Sequence, residues 1–337
     1  MNDKRILYIG NNLSKKSKYK TSIAILSELL EKEGFTVTVV SNKTNKLIRL
    51  LDMIYKTILF RNKVDFVLID TFSTLNFYYA YLISLICNFF SLKYIPILRG
   101  GDLPKRLKNS SVLSKSIFKN AYKNIAPSNY LKTAFKEENY YTEFIPNTIP
   151  LEDYNYINRT NIQPKLLWVR SFKLLYNPTL AIKVLLELKK EYPKAVLCMI
   201  GPFLDDSHQK TLELIKEYNL ESSVELTGVL TKEDWHKKSK DYDIFINTTN
   251  FDNTPISVIE AMALGLTIVS TNVGGMPYLI DDKVDGLLVE KEDTLQMTNA
   301  IMDVVKGKYP TLSKRAREKA ETFDWEVIKY KWFKILK

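Results

Sequence analysis

The chain has 337 residues, 45% hydrophobic and 26% charged, with two cysteines and a formal net charge of +11. That length and apolar content exclude an overall disordered chain and point to two domains of ordinary size, while two cysteines exclude a disulfide scaffold. The charge is one-sided: residues 1–150 hold 23 Lys and Arg against 11 Asp and Glu, a balance of +12, and the remainder carries −1.

Such a basic half serves solubility, or faces an anionic partner, either a membrane surface with lipid-phosphate acceptors or nucleic acid. The opening MNDKRILYIG runs straight into a strand-like segment, so no signal peptide is expected. Cys87 and Cys198 lie in apolar runs, the usual setting of buried free thiols, which fits a reducing cytoplasm.

In chain order, RILYIG reads as a strand, followed by a helix near 21–33, the strand FTVTVV, a helix near 45–59, the strand DFVLID, a helix from 74, the strand YIPIL, and helices to about 136. A polar stretch at 151–165 reads as a linker between a first domain, 1–150, and a second, 166–318. The rhythm then restarts: LLWV, a helix from 178, VLCMIG, a helix near 207–218, VELTG, a short helix near 232–239, DIFINTT, a helix, LTIVST and a further helix. Residues 319–337 read as a terminal amphipathic segment docked on the body, with Trp325, Ile328 and Trp332 on one face. Alternation of this kind marks an α/β chain with two Rossmann-like, doubly wound parallel sheets. The apolar run 74–90 is too short for a span of about 20 residues and sits between two strands, so it reads as a buried helix.

Between Asp252 and Asp281 the only charged residue is Glu260. Thr254 and Pro255 read as a cap and first helical position, Gly265 as the stop. Glu260 then lies about 9 Å along the helix, at ~1.5 Å per residue, with its side chain slanting back toward the helix start. That start stands at the carboxyl end of a parallel strand, where such sheets place ligands. A carboxylate there pairs with a distant Lys or Arg, or accepts two ligand hydroxyls; the second reading is favoured. Helix starts near Thr254 and after Gly274 and Gly275 offer amides to an anion. Arg170 follows LLWV directly and emerges at the same pole, able to fork onto phosphate oxygens or to form a salt bridge between domains.

Asp252, seven intervening residues, Glu260 in IEAMALG, a strand and VGGMP together resemble the E-x7-E region of GT-B retaining glycosyltransferases, family 4. GFTVTVV, ILRGGDLP, IAPSNYL, FIPNTI, WVRSF, MIGP, ELTG and DYDIFINTT occur in that family's order, more specifically in the second half. The resemblance implies two Rossmann-like domains facing across a cleft, and retaining, metal-independent transfer of a hexose from a UDP- or GDP-linked sugar. The acceptor would be a hydroxyl of a glycan or lipid-phosphate-linked saccharide of cell-surface polysaccharide synthesis. No further cofactor is implied, and the enzyme would be cytoplasmic, peripheral on the membrane through its basic half.

By the same resemblance Glu260 holds the donor ribose, and Asp252, Asn253, Thr254 and Pro255 contact the sugar. Arg170 neutralises the leaving diphosphate; the family's following lysine is matched only by Lys173, which arrives early, while Tyr176 stands about where it would align. In the first domain Arg99, Gly100 and Gly101 follow a strand on the acceptor side, Arg99 standing where the family often has a histidine near the anomeric centre. The first loop lacks the family's usual glycine pair but carries Lys15, Lys16, Lys18 and Lys20.

Other chemistries fare worse. Asp241-Tyr242-Asp243 matches a metal-binding D-x-D pattern but precedes a strand instead of following one, and His208 and His236, far apart without a neighbouring cysteine, read as surface histidines. Neither G-x-G-x-x-G, a P-loop nor a G-x-S-x-G elbow occurs. The alternatives are a non-enzymatic nucleotide-sugar or nucleic-acid binding protein, and a GT-B sugar-nucleotide epimerase. Nucleic acid is not expected, because the aromatics of 77–90 fall in a run without Lys or Arg.

Overall fold

A computed structural model describes residues 4–12 and 21–337. The four lysines of the first loop lie outside the described residues.

Contacts divide the chain into two units, Met1–Pro146 with Ile328–Lys337, and Asn147–Val327. The first contains β1 (Arg5–Ile9), α1 (Ser22–Lys32), β2 (Thr36–Val40), α2 (Lys46–Phe60), β3 (Phe66–Thr71), α3 (Asn76–Phe89), β4 (Tyr94–Leu98), α4 (Leu103–Asn109), α5 (Ser111–Phe118), β5 (Ile125–Ala126), α6 (Asn129–Glu137) and β6 (Glu143–Phe144). Its strands pair in the order β2-β1-β3-β4-β5-β6, every pairing parallel. β3 and β4 are buried at every residue, as a sheet covered by helices on both faces demands. α3 buries Phe77, Ala80, Ile83 and Cys87 in this core, in line with the buried-helix reading of 74–90. Among the described residues no helix is long and apolar enough to cross a membrane.

The second unit contains β7 (Lys165–Val169), α7 (Pro178–Lys189), β8 (Val196–Ile200), α8 (Ser207–Glu217), β9 (Val224–Gly228), α9 (Lys232–Lys238), β10 (Ile244–Asn247), α10 (Ile256–Ala263), β11 (Thr267–Thr271), α11 (Met276–Leu279), β12 (Leu287–Val289), α12 (Thr294–Val305) and α13 (Leu312–Glu321). Its sheet runs β12-β11-β10-β7-β8-β9, again all parallel. Alternate strand residues feed two cores: Leu166, Trp168, Leu197, Met199, Ile244 and Ile246 enter one. Leu167, Cys198, Ile200 and Phe245 enter the other. Both cysteines are buried free thiols, each pushed up to about 12 chiefly by burial.

The stretch read as a linker belongs to the second unit. Tyr154 is buried in one of its cores, and buried Arg159 donates to the carbonyls of Tyr242, Leu264 and Ser239 at 2.8–2.9 Å. A guanidinium can satisfy several carbonyls at once, which fixes a polar segment that composition alone marks as loose. The last helix, α14 (Trp325–Ile335), brings the chain back to the first unit, where Phe333 lies 6.0 Å from Phe35 and Lys329 pairs with Glu33 at 3.3 Å. Trp325, Ile328 and Trp332 are all buried.

Candidate active site

In the second sheet the strand order reverses between β7 and β10, and in open α/β sheets the crevice at the carboxyl ends of such a pair is the usual ligand position. Arg170 leaves β7 at that point, and its amide donates to Ile200 O at 3.0 Å. The loop after β10 carries Asp252, whose carboxylate forms an ion pair with Arg170. The Arg170 guanidinium also lies 4.3 Å from the centre of the Tyr176 ring, a stacking arrangement suited to arginine. Burial pushes its pKa down to about 10, so it remains a cation at neutral pH. Arg170 Nε is buried, and no hydrogen-bond partner for it is found among the described residues. The salt bridge that Arg170 makes is thus within its own unit, not the interdomain one weighed from the sequence.

Neighbouring backbone braces this loop. Asn250 N donates to Leu175 O at 2.8 Å and Thr248 Oγ1 to Tyr176 O at 2.8 Å, tying the β10 loop to the one after β7. Gly274 and Gly275 sit against it from the other side. A Cβ on Gly275 would fall 1.8 Å from Asn253 O, and one on Gly274, whose φ is +54°, 2.2 Å from Asp252 O. The glycine pair therefore permits a close backbone approach. Its expected role as an open amide cradle is corrected in part: Gly275 N donates to Asp252 O at 2.8 Å and Met276 N, the next amide, to Val273 O at 2.9 Å, so these two are occupied.

α10 starts one residue later than read from the sequence. Pro255 is the cap, without a side-chain cap bond, and Thr254 precedes it. Proline presets its own φ but has no side-chain acceptor, so the cap residue's side chain reaches none of the first amides, and Val258 N donates to Pro255 O at 3.2 Å. Thr254 O accepts from Asn147 Nδ2 at 3.4 Å, and the buried Ser257 hydroxyl at the helix start has no partner among the described residues.

Glu260 lies on α10, its side chain 12% exposed. Tyr154 donates to its Oε1 at 2.7 Å and Lys232, at the start of α9, approaches the same oxygen at 3.3 Å. No hydrogen bond to Oε2 is found among the described residues. Of the two readings of this acid, the pairing with a distant lysine is the one observed. Burial raises its pKa, with the Lys232 ammonium and the Tyr154 hydroxyl acting in the opposite direction. His236 packs between Tyr154 and Trp235, each ring centre 4.6 Å away, and is not the simple surface histidine expected; burial pushes it down to about 4. His208 stacks on Phe203 with ring centres 3.5 Å apart.

The structure therefore brings Arg170, Asp252, Asn253, Thr254, Pro255, Gly274 and Gly275 together at the carboxyl edge of the second sheet, with Glu260 on the helix that follows. Lys173 is different: it is exposed, its charge acts on Asp205, and no contact with Arg170 or Asp252 is found among the described residues. Asp243 of the D-x-D pattern is held by Arg159 at 3.4 Å and by Gln163 N at 2.9 Å, at the opposite strand end. Sequence reasoning missed Tyr154, hidden in the supposed linker, and Lys232. Lys232 was reachable by the rule that selected Arg170, since it follows a strand, VELTG, at the same edge.

In the first unit Arg99 follows β4 and donates to Asp70 Oδ1 at 3.0 Å and to the Tyr8 hydroxyl at 3.1 Å, while Tyr8 donates to Asp70 Oδ1 at 2.9 Å. Asp70 and Tyr8 are buried. Burial works against the Arg99 cation, but Tyr8 and Asp70 outweigh it and its pKa is raised. Gly100 is a close-packing glycine, since a Cβ there would fall 2.5 Å from Ser73 N; Gly101 leads into α4.

Residues 156–323 match the family model described as glycosyl transferases group 1. The second unit carries a group 1 glycosyltransferase domain. Over 139 residues, 38% of this chain, it is 30% identical to WcaL of Escherichia coli K12, a glycosyltransferase assigned to colanic acid biosynthesis, and the match spans 33% of that relative. A second Escherichia coli relative, UDP-Gal:alpha-D-GlcNAc-diphosphoundecaprenol alpha-1,3-galactosyltransferase, is 25% identical over 194 residues, 52% of this chain and 48% of its own length. The chain thus spans less than half the length of each of these relatives. Among solved structures, Anabaena HepE in complex with UDP and glucose aligns over 99% of both chains with a TM-score of 0.77 at 17% identity. Sucrose-phosphate synthase from Thermosynechococcus elongatus aligns over 98% of both with a TM-score of 0.80. These likenesses speak for the fold: two Rossmann-like domains of the GT-B type. The nucleic-acid and epimerase alternatives gain nothing from them.

Proposed function

We propose that this protein transfers a hexose from a nucleoside-diphosphate sugar to a hydroxyl of a glycan or lipid-phosphate-linked saccharide, with retention of configuration, as a family 4 enzyme of polysaccharide synthesis. The observation that carries the reading is the joint placement of a half-buried cation, Arg170, and a half-engaged carboxylate, Glu260, at the ligand edge of the second sheet. Glu260 Oε2 accepts a ribose hydroxyl. Phosphate oxygens of the leaving diphosphate meet Arg170 and amides at the start of α10, where charge develops as the glycosidic bond breaks. A guanidinium and a helix start supply the positive field a divalent cation would otherwise provide, so the transfer is metal-independent. Asp252 orients Arg170 and, with Asn253 and Thr254, borders the sugar; Lys173 takes a supporting electrostatic role from its exposed position. On the acceptor side Arg99, fixed by Asp70 and Tyr8, presents a rigid cation with Gly100 and Gly101 beside it. The diphosphoundecaprenol-linked saccharide in the name of the galactosyltransferase relative suits a protein working peripherally on the inner face of a membrane.

A thermal-shift screen with UDP, GDP, ADP and their common sugars tests the reading. One base family should raise Tm in the wild type and fail to do so in Arg170→Ala. A protein stabilised by none of them, while binding an arbitrary oligonucleotide with steep salt dependence, would refute it.

A further inference from the structure

A helix on the outside of an α/β sheet ordinarily turns one apolar stripe inward and a polar face to water. α2 is apolar on both sides. Met53 is buried, with Leu50, Ile54 and Phe60 packed against the core. On the outward side Leu47 is 73% exposed, Leu51 65% and Tyr55 61%, and Ile48, Ile58 and Leu59 are exposed as well. Leu47, Leu51, Tyr55 and Leu59 recur every fourth residue, which aligns them along one face. At the end of the neighbouring α3, Phe89 is 82% exposed. Its ring packs edge-on against Phe90 at 4.9 Å, and the Arg61 guanidinium lies 5.3 Å from the Phe90 ring, linking the ends of the two helices.

The charges around this face are nearly all of one sign. From Lys43 to Lys63 six residues are basic and one, Asp52, is acidic, and Asp52 accepts a hydrogen bond from Ser41 Oγ at 2.6 Å. Lys43, Lys46, Arg61 and Lys63 are exposed. An exposed apolar stripe bordered by lysines and arginines is the pattern of a helix that lies in a lipid interface, with apolar side chains among the acyl chains and cations among phosphates. α2 has 15 residues and does not span a bilayer. A second copy of the chain fits less well, because a two-fold contact sets a surface against itself and would oppose basic residue to basic residue.

We infer that the outward face of α2, continued by Phe89, is a membrane-docking surface for anionic lipid. The inference takes the peripheral-membrane part of the proposed function to named residues, and it stands on the first unit alone. Its test is flotation of the full chain with phosphatidylcholine vesicles lacking or containing phosphatidylglycerol. The wild type should float much more strongly with the anionic vesicles than with the neutral ones. The paired substitution Leu51→Asp with Tyr55→Asp, and separately Phe89→Ser, should weaken this by at least about tenfold with Tm unchanged, since all three positions are exposed. High salt should weaken binding without abolishing it, because apolar contact survives screening. Flotation equal to wild type in both variants, or complete release by salt alone, would overturn the surface. So would a wild type that ignores vesicles and instead forms a dimer which the paired substitution dissociates. The nucleotide thermal shift of these variants should match wild type, so failure here and failure of the transferase reading are read out separately.

Discussion

Removing a carboxylate from water costs on the order of several kcal/mol unless partners replace the lost hydration. Glu260 has a hydroxyl and an ammonium on one oxygen and none on the other among the described residues. If that open oxygen serves a ribose diol, Glu260→Gln should weaken nucleoside-diphosphate binding by about tenfold to a hundredfold, the loss of one hydrogen bond to a charged acceptor. Lys232→Met should instead lower stability by about 1 kcal/mol, discounted for the third of Lys232 that is exposed, and disturb binding less. Because burial raises the Glu260 pKa, nucleotide affinity should fall on acidification with a midpoint above the ordinary 4.5. Titration calorimetry across a pH series measures it.

His236 gives a second pH effect, on stability. Its pKa is lowered from 6.5 to about 4 by burial, so between these values the folded state binds fewer protons than the unfolded. Stability is therefore full above about 6.5 and falls as pH drops toward 4. The pK difference sets a ceiling of about 3 kcal/mol, roughly halved by the partial exposure of the ring. His236→Gln should flatten this part of the profile in denaturant titrations at stepped pH. None of this was readable from the sequence, since His236 acquires its surroundings from Tyr154, 82 positions earlier.

At the scale of elements, long apolar runs were legible: YIPIL and DIFINTT are strands and NFYYAYLISLICNF a buried helix because hydrophobicity alone decides them. The two-residue strands β5 and β6 and the three-residue β12 were not, because so few residues carry no period and only the neighbouring ladder makes them strands. The start of α10 shows another limit. Threonine before proline reads as cap and first turn, yet the chain places Pro255 at the cap. Gly274 and Gly275 were found by pattern, whereas their task is visible only against the carbonyls of Asp252 and Asn253. Gly275→Ala must push that loop away, since its Cβ would lie 1.8 Å from Asn253 O. The expected outcome is a loss of about 1–3 kcal/mol by chemical denaturation, with a larger proportional loss of nucleotide binding than of helicity.

For the molecule as a whole, the sequence rhythm sufficed to give two parallel sheets, each with its own core, because alternating strand and helix periods leave few topologies open. The boundary did not follow composition. Residues 151–165 look like a linker, but Arg159 and Tyr154 bind them into the second unit, and Ile328–Lys337 rejoins the first. Since the proposed donor contacts lie in the second unit, a nucleoside diphosphate at about 100 times its Kd should stabilise the protein by about 2.7 kcal/mol. Scanning calorimetry should show that gain in wild type and lose it in Gly275→Ala.

The most direct measurement is calorimetric titration of the responding nucleoside diphosphate into wild type and Glu260→Ala, with circular dichroism confirming that both are folded. Measurable binding by the wild type and none by the folded variant is the expected result. Equal affinity in the two would show that the acid serves only Lys232 and Tyr154, and would contradict the donor site.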